Sequence, residues 1–455
     1  MWEDTIVARA SAEGTGAVGM LRLSGDDAVG IATRIITPRS TPIPECQSRR
    51  VYLGCVYASD GALIDEITFI VYRKPHSYTG ENTVEIFLHG NTILIDLIVT
   101  RCIGEGARLA LPGEFTRRAF MNGKIDLTQA ESVADLIAAQ AEEEIKIAAK
   151  MLSGEFGKRL KRLREDMLEI ISLAEASIDF PEEDDVTASQ TRTICARISG
   201  IREEISAMLA SYDEGKRIRN GIRVTIAGQT NAGKSSLMNA LFEEEKSIVT
   251  PVHGTTRDVI EGVLILNGVR VIFHDTAGLR TARGIVEKEG VRRTQKSIDE
   301  ADIVIYVIDA YRTDFAGDLK RIAAMLHNHL IVVLNKTDLA GGTAPVIPES
   351  IPVCRISALH KTGLDTLHSA LCREITSLVR HTHSAAFTVN RRHAECLKQG
   401  GIALKEAQQA IDNGLTEDFF VENIKEAQRA LAQIVGDISP DDVLDRIFSQ
   451  FCIGK

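Results

Sequence analysis

The first 120 residues alternate short apolar runs with polar turns. Five of the runs have the β-branched and aromatic composition of strands, and they lie at residues 5–10, 18–23, 51–56, 67–72 and 84–88. Between them, residues 26–36 and 92–103 carry apolar side chains at helical spacing. The pattern predicts a small α+β domain with its own core over residues 1–120.

A helical period replaces this alternation after Asp126. Apolar positions three and four residues apart predict one long helix over residues 127–152, followed by helices over 156–177 and 188–212. The acidic, proline-containing segment 180–185 is interpreted as a solvated turn in preference to a metal site. Helical patterns return near the C-terminus, at residues 391–413, 419–435 and 440–450.

Residues 216–380 alternate strand-like and helix-like runs, which is typical of a parallel α/β sheet. Because helical patterns flank this segment on both sides, we expect an α/β domain inserted into a loop of a helical domain. The predicted organisation is therefore multidomain. It comprises an α+β domain at residues 1–120, a discontinuous all-α domain at 121–215 and 381–455, and an inserted α/β domain at 216–380.

Composition is consistent with this organisation. A chain of 455 residues is long enough for about three domains. The formal net charge of −10 argues against a general nucleic-acid coat, although it leaves room for a local basic patch. The eight cysteines show no C-x-x-C pair and no metal-ligand spacing. With no signal-peptide pattern and no apolar run long enough to span a bilayer, we expect a cytoplasmic protein with reduced thiols.

The strongest chemical signal is the G-x-x-x-x-G-K-S pattern at residues 228–235. It follows the apolar run 222–227 and precedes a helical run, which is the strand–loop–helix context that a phosphate-binding loop requires. Glycines let backbone N–H groups converge on a phosphate, and the helix N-terminus adds its positive dipole end. Lys234 is expected to reach the β- and γ-phosphates, and the Ser235 hydroxyl to bind Mg²⁺.

Two later segments predict guanine as the base. Asn335-Lys336-Thr337-Asp338 follows a buried-strand run, and the Asp338 carboxylate can accept hydrogen bonds from guanine N1–H and its 2-amino group. Adenine offers neither donor there and would leave the acid unpaired, a discrimination of roughly 10⁴-fold. Ser357-Ala358-Leu359 follows another strand and fits the loop that backs the base. The predicted ligand is GTP.

Two other segments are assigned to the γ-phosphate and its metal. Asp275-Thr276-Ala277-Gly278 ends a strand, so that Asp275 can hold Mg²⁺ indirectly while the Gly278 N–H senses the γ-phosphate. Upstream, Thr256 lies in the segment 254–258 and supplies a hydroxyl for the metal.

The machinery for hydrolysis is unusual. Many small GTPases orient the attacking water with a glutamine directly after this D-x-x-G segment. Leu279 occupies that position and can neither donate nor accept a hydrogen bond. Either the protein barely hydrolyses GTP, or another polar group acts. Glu287 is the nearest candidate carboxylate, and its alternative reading is a solvated charge beside Lys288 and Glu289.

With these segments placed, the chain resembles the MnmE (TrmE) family of tRNA modification GTPases along essentially its whole length. The resemblance rests on residues 22–25, 77–81, 112–116, 122–127, 231–235, 254–258, 275–280 and the terminal C-I-G-K at 452–455. It implies a tetrahydrofolate-binding-like, dimerising N-terminal domain, an all-α helical domain and an inserted Ras-like P-loop GTPase (G) domain.

The resemblance also implies a reaction. Proteins of this family act with the flavoprotein MnmG to build an aminomethyl or carboxymethylaminomethyl group on C5 of the wobble uridine, position 34, of certain tRNAs. A 5-formyl- or methylene-tetrahydrofolate supplies the one-carbon unit. GTP hydrolysis accelerates when two G domains meet around a K⁺ ion. The implied partners are a second copy of the chain, MnmG in a heterotetramer and tRNA, with no membrane.

Site residues follow from the same resemblance. The K⁺ ligands fall on Asn231, Thr250, Val252 and Thr255, the Mg²⁺ ligands are Ser235 and Thr256, and Glu287 matches the residue that positions water. The full set of nucleotide contacts is Asn231, Ala232, Gly233, Lys234, Ser235, Ser236, Thr250, Pro251, Val252, His253, Gly254, Thr255, Thr256, Asp275, Thr276, Ala277, Gly278, Asn335, Lys336, Asp338, Ser357, Ala358 and Leu359.

The folate contacts implied by the resemblance are Arg22, Glu85, Lys124 and Lys455. A carboxylate suits the adjacent N–H and amino groups of a pterin, whereas cations suit the anionic glutamate tail. If Lys455 takes part, the C-terminal tail folds back against the N-terminal domain. Cys452 is either a nucleophile or a packed thiol.

Two other functions stay open at this point. One is a ribosome-assembly GTPase of the Era or Der kind, although no G-x-x-G loop in a helix–loop–helix setting is evident in the sequence. The other is a sensing scaffold that binds folate or nucleotide without turnover, which Leu279 leaves open.

Overall fold

The computed structural model describes residues 4–58, 60–179, 184–244, 262–275, 295–325, 329–339, 345–380, 387–438 and 440–455. Contacts divide the chain into two compact units. The first unit comprises Met1–Ile137, Ala149–Arg202 and Cys396–Lys455, and the second comprises Ala138–Ala148 and Glu203–Glu395. Among the described residues, no helix is both long enough and apolar enough to cross a membrane.

The first unit contains a seven-stranded sheet. Its strands are β1 (Ile6–Arg9), β2 (Val18–Ser24), β3 (Ile36–Pro38), β4 (Val51–Tyr57), β5 (Leu63–Tyr72), β6 (Thr83–His89) and β7 (Arg108–Leu109). They lie in the order β3-β4-β5-β6-β2-β1-β7, and every pairing among them is antiparallel except that of β1 with β7. Leu21, Leu23 and Ile86 are fully buried in the core between this sheet and helices α1 (Ala28–Ile35) and α2 (Thr92–Gly104).

Other helices of the first unit form two packed groups. Around a second core lie α3 (Glu114–Met121), α4 (Leu127–Ala138) and α13 (Asp441–Phe448), while α6 (Glu155–Asp179) packs against α12 (Glu417–Val435). Leu127 of α4 is buried with Leu444 and Phe448 of α13. Helices α5 (Glu142–Leu152), α7 (Asp184–Asn220) and α11 (Arg391–Asp412) contribute residues to both units.

The prediction of one helix over residues 127–152 is wrong, because the chain breaks between α4 and α5. The Gln140 N–H donates to the Glu144 side chain at 2.8 Å, and the Glu143 N–H donates to the Gly268 carbonyl oxygen at 3.0 Å. These donors are therefore not available to the carbonyls of α4. Three glutamates in the first turn of α5 favour a new helix N-terminus. Apolar spacing alone does not reveal such a restart.

Helix α7 extends beyond the predicted residues 188–212 at both ends. The helix was predicted to end at Tyr212, and α7 continues through Gly215. Within the helix, however, a Cβ at position 215 would lie 1.9 Å from Cγ2 of Thr388. Glycine is present because a neighbouring segment approaches closely, and it does not end the helix.

The second unit is built on a six-stranded sheet. Its strands are β8 (Ile222–Gly228), β9 (Gly262–Leu266), β10 (Val269–Asp275), β11 (Ile303–Asp309), β12 (His329–Asn335) and β13 (Val353–Arg355), flanked by α8 (Lys234–Glu244), α9 (Ala316–Ala324) and α10 (Leu364–Leu378). The order is β13-β12-β11-β8-β10-β9, and only β9 runs antiparallel. Ligands of such sheets bind outside the carboxyl ends of the strands. Residues 228, 309 and 335 end strands β8, β11 and β12 at this edge.

Candidate functional site

The loop between β8 and α8 has a backbone form that few residues accept. Asn231 and Gly233 have φ angles of +65° and +91°. A Cβ at position 233 would lie 2.2 Å from Nδ2 of Asn335, so glycine is required there for two reasons. Lys234 begins α8, and its Nζ donates to the carbonyl oxygens of Gly228 and Gln229 at 3.0 and 2.8 Å. An ammonium group and a helix N-terminus therefore meet at this loop, which suits a phosphate.

Asn335 connects the phosphate-binding loop to the loop after β13. Its side chain is buried, and both ends of its amide are satisfied. Nδ2 donates to the Ala232 carbonyl oxygen at 2.9 Å, while Oδ1 accepts from the Ala358 N–H at 3.0 Å. A fully bonded buried amide has one favourable orientation, so Asn335 fixes the spacing between the two loops.

Asp338 lies beside the loop after β13. A hydrogen bond from the Ser357 hydroxyl lowers the pKa of Asp338, so the carboxylate is ionised at neutral pH. The Thr337 N–H donates to the Ile356 carbonyl oxygen at 3.1 Å and ties the two segments together. Nε2 of His360 lies 3.8 Å from Oδ2 of Asp338. An ionised carboxylate at this edge is the acceptor that the N1–H and amino group of guanine need.

Lys336 is held by a residue that the sequence analysis did not select. Its backbone has a φ of +67°, and its Nζ donates to Oδ2 of Asp309 at 2.6 Å. Asp309 ends β11 directly opposite Asn335 of β12. Asp309 could have been identified from the sequence, because it is an acidic residue at the carboxyl end of a strand next to β12.

Gln229 is held by side chains from outside the phosphate-binding loop. Its Oε1 accepts from Arg312 at 2.5 Å, and its Nε2 donates to Oδ2 of Asp318 at 3.0 Å. Asp318 is 1% exposed, and its Oδ1 accepts from the Tyr306 hydroxyl at 2.8 Å. Burial raises the pKa of Tyr306 to about 12, which keeps this hydroxyl a donor. The network restrains the residue that follows the first glycine of the loop.

Other predicted nucleotide residues are only partly described. Ser235 and Ser236 lie in the first turn of α8, Asp275 ends β10 opposite Ile226 of β8, and Leu359 is 78% exposed. Outside the described residues lie Thr250, Pro251, Val252, His253, Gly254, Thr255, Thr256, Thr276, Ala277, Gly278, Leu279 and Glu287. The roles assigned to those residues stay predictions.

A second cluster of predicted site residues lies on the sheet of the first unit. Arg22 of β2 and Glu85 of β6 are directly opposite one another. The guanidinium donates to Oε1 of Glu85 at 2.8 and 3.0 Å, and the Tyr72 hydroxyl donates to Oε2 at 3.1 Å. Arg22 also lies over the rings of Tyr78 and Phe115, at 5.2 and 5.6 Å from their centroids.

The C-terminal residue joins this cluster. The Phe115 N–H donates to the main-chain oxygen of Lys455 at 3.1 Å, so the tail lies against the N-terminal part of the first unit, as the family resemblance implied. Burial, together with the like charge of Arg22, lowers the pKa of Lys455. The side chains of Arg22 and Lys455 therefore lie near the Glu85 carboxylate, so that charged groups of both signs are available to a ligand there.

Lys124 and Cys452 make other contacts. Nζ of Lys124 donates to the Pro75 carbonyl oxygen at 3.0 Å, a contact separate from the Arg22–Glu85 pair. The Cys452 thiol is exposed and lies close enough to Lys455 for the charges of the two groups to interact. The structure therefore brings Arg22, Glu85 and Lys455 together, with Cys452 beside them.

Comparison with known proteins identifies the family of the chain. The family model for the GTP-binding protein TrmE N-terminus matches residues 5–124, and that for the MnmE helical domain matches residues 127–452. The tRNA modification GTPase MnmE of Laribacter hongkongensis is 40% identical over 455 residues, with 99% of each chain covered. The protein of the same name from Aquifex aeolicus is 38% identical over 453 residues, with 99% of this chain and 100% of the relative covered. The chain belongs to the MnmE family.

Membership of the MnmE family confirms the predicted fold class: an α+β N-terminal domain, an all-α helical domain and an α/β P-loop GTPase domain. The chain is a P-loop GTPase. Among solved structures, Aquifex aeolicus Era is similar over 33% of this chain and 56% of its own, with 31% identity and a TM-score of 0.27. The G domain of T. maritima FeoB is similar over 34% of this chain and 98% of its own, with 24% identity and a TM-score of 0.26.

Within this MnmE family member, the residues that sequence reasoning missed are those that support the predicted contacts. Asp309 holds Lys336, Asp318 holds Gln229, and Tyr72 holds Glu85. None of the three lies in a recognisable motif. Each acts through a partner in another element, 13 to 89 positions away along the chain, and the fold brings the two together.

Proposed function

We propose that this chain is a GTP-hydrolysing tRNA modification enzyme. Together with the flavoprotein MnmG, it adds an aminomethyl or carboxymethylaminomethyl group to C5 of the wobble uridine, position 34, of certain tRNAs. Support comes from relatives named tRNA modification GTPases that align along the full length. The observation that carries the proposal is the presence of two clusters in one chain: a guanine-nucleotide loop set around Asn335 and Asp338, and the charged cluster of Arg22, Glu85 and Lys455 on the sheet of the first unit.

The proposed hydrolysis uses Mg²⁺ on Ser235 and Thr256 and K⁺ between two G domains. A monovalent cation against the phosphates neutralises charge that develops as the bond to the γ-phosphate breaks. Asn231 fits a cation ligand because it is exposed on the loop and carries a side-chain carbonyl. Glu287 is assigned to orient water because Leu279 cannot do so. The remaining K⁺ ligands, Thr250, Val252 and Thr255, are proposed from the resemblance alone.

The proposed cofactor of the first unit is a 5-formyl- or methylene-tetrahydrofolate, which supplies the one-carbon unit when bound. Glu85 would face the pterin donors, while Arg22 and Lys455 would meet anionic groups. Lys124 is proposed as a further contact to the tail. In this assignment residues 1–120 form the folate-binding and dimerisation domain, residues 121–215 with 381–455 form the helical domain, and residues 216–380 form the G domain.

Changing Glu85 to glutamine is expected to weaken binding of 5-formyl-tetrahydrofolate by roughly 10–100-fold, because a charge-assisted hydrogen bond becomes a neutral one. Isothermal titration calorimetry on the full chain measures this. Glu66→Gln is the matched control, since Glu66 is an exposed partner of Arg39 on the same sheet. Equal affinities for wild type and Glu85→Gln would contradict the assignment.

The proposed function is tested in cells that lack this chain. Mass spectrometry of tRNA nucleosides should show loss of the modified wobble uridine and its return when the chain is restored. Unchanged modification in its absence would overturn the proposal. Co-sedimentation of the chain with ribosomal particles, without any change in tRNA, would instead favour a role in ribosome assembly.

A further inference from the structure

A concentrated run of positive charge opens α6. Five of the seven residues from 158 to 164 are lysine or arginine and none is acidic, in a chain with a net charge of −10. The apolar residues of this stretch, Phe156, Leu160 and Leu163, are buried. The opposite side of the helix is exposed and forms what we call the basic face: Lys158, Arg159, Lys161 and Arg162.

Three of the four cations of the basic face are unpaired among the described residues. Within the part of the chain that the structure describes, Lys158, Lys161 and Arg162 form no ion pair. Glu165 and Asp166 lie four residues beyond Lys161 and Arg162, at helical pairing distance, yet neither pairs with them. The charges of Lys158, Lys161 and Arg162 are therefore available to a partner from outside the chain.

A cavity of about 560 Å³ adjoins the basic face. Lys158, Lys161 and Arg164 line it, together with residues of the turn between α5 and α6. Three carboxylates line the cavity, those of Asp126, Glu165 and Asp437, and two of them have partners of their own. Asp126 accepts from the Thr128 hydroxyl and the Gln129 N–H, and Asp437 pairs with Arg164. Among the described residues, Lys158 and Lys161 form no ion pair with any of these carboxylates, and both side chains are exposed beside the cavity.

The composition of the face indicates the kind of partner. The centre of a protein–protein interface is enriched in aromatic and apolar side chains and depleted of charge. From residue 155 to 166, every exposed residue of α6 is charged. Cations one helical turn apart, at about 5–6 Å, match a chain of phosphates, which nucleic acids present without requiring an apolar contact.

We infer that the basic face of α6 binds the phosphate backbone of RNA. The identification of that RNA as tRNA rests on the proposed function. The contact is sequence-independent and supplies affinity and orientation, because lysine and arginine on a helix surface meet phosphates as point charges. It adds a substrate-holding surface in the helical part of the first unit, apart from the nucleotide loop.

The test uses the full-length chain and an unmodified tRNA transcript, with binding measured by fluorescence anisotropy from 50 to 300 mM KCl. The variant combines Lys158→Gln, Lys161→Gln and Arg162→Gln, since glutamine keeps helix propensity and removes charge. The control combines Arg192→Gln, Lys398→Gln and Lys405→Gln. Those residues are exposed on other helices of the same unit, and the change in net charge is identical.

The variant is expected to bind tRNA roughly 10–100-fold more weakly at low salt, and the slope of log affinity against log salt should fall by about 2–3. The control should bind like wild type, and all three proteins should hydrolyse GTP equally. That equality shows that the variant is folded.

Two results would overturn the inference, and they differ in what they say about the proposed function. If the variant bound tRNA with the affinity and the salt slope of wild type, tRNA would contact another surface. The proposed function in tRNA modification would be unaffected by that result. If the variant instead lost co-purification with a protein partner, the face would be a protein interface. If the wild-type protein did not bind tRNA at 50 mM KCl, the inference would be wrong. The proposed function would then be decided separately, by the analysis of tRNA nucleosides in cells.

Discussion

Replacing Asp338 by asparagine is expected to change the base preference of the nucleotide site from guanine to xanthine. The carbonyl of asparagine still accepts from the base N1–H, but its NH₂ group faces the 2-amino group of guanine, donor to donor. Xanthine carries an oxygen at that position, which accepts from the new NH₂. The variant loses a hydrogen bond to GTP and gains one to XTP. The ratio of GTP to XTP affinity should therefore fall by on the order of 10³–10⁴-fold.

Competition between unlabelled GTP and XTP for a fluorescent nucleotide measures this ratio in both proteins. Asp365→Asn is a control with the same change of charge, because Asp365 lies exposed in the first turn of α10. Its preference for GTP should match that of wild type. Retention of wild-type GTP preference by Asp338→Asn would show that the carboxylate does not contact the base, despite its position beside Ser357.

Glu287→Ala is expected to retain GTP binding and to lose turnover by roughly 10²–10³-fold, because the attacking water loses the carboxylate that orients it. Phosphate release in KCl measures turnover, and a fluorescent GTP analogue measures affinity alongside it. Glu289→Ala tests the alternative reading, in which this segment is only a solvated charge cluster. Equal turnover in the two variants would support that alternative.

Much of the fold follows from periodicity, because strands and helices that face a core need regular apolar spacing. The five strands predicted within residues 1–120, and most of the helices whose bounds were predicted, lie within a few residues of observed elements, whereas β3 and β7 were not predicted. The errors arise where a distant segment decides. The N–H of Glu143 bonds to Gly268 and begins a new helix, and Thr388 packs where Gly215 leaves room within α7. Neither contact is visible in the local sequence.

The residues of the candidate site likewise fall into those that the local sequence identifies and those that only the fold brings together. The phosphate-binding loop and the Asn335–Asp338 segment are contiguous, so that their residue types and order carry the chemistry. Gln229 and Asp318, by contrast, are 89 positions apart and meet only in the folded chain. Arg22 and Glu85 are 63 positions apart, and as single charged residues they would be read as surface charges. The family resemblance, together with their pairing across β2 and β6, singles them out.

The rate of phosphate release by the full-length protein, compared in KCl and NaCl at equal ionic strength, tests most directly whether potassium completes the GTPase site. For wild type, hydrolysis should be at least about tenfold faster in KCl than in NaCl. Removing one group that stabilises the charge of a transition state commonly slows an enzyme by at least this factor. Asn231→Gly removes the proposed K⁺ ligand, and glycine accepts the φ of +65° at this position without strain. This variant should hydrolyse GTP equally slowly in both salts. Equal rates for wild type in KCl and NaCl would contradict the claim that two G domains act around a potassium ion.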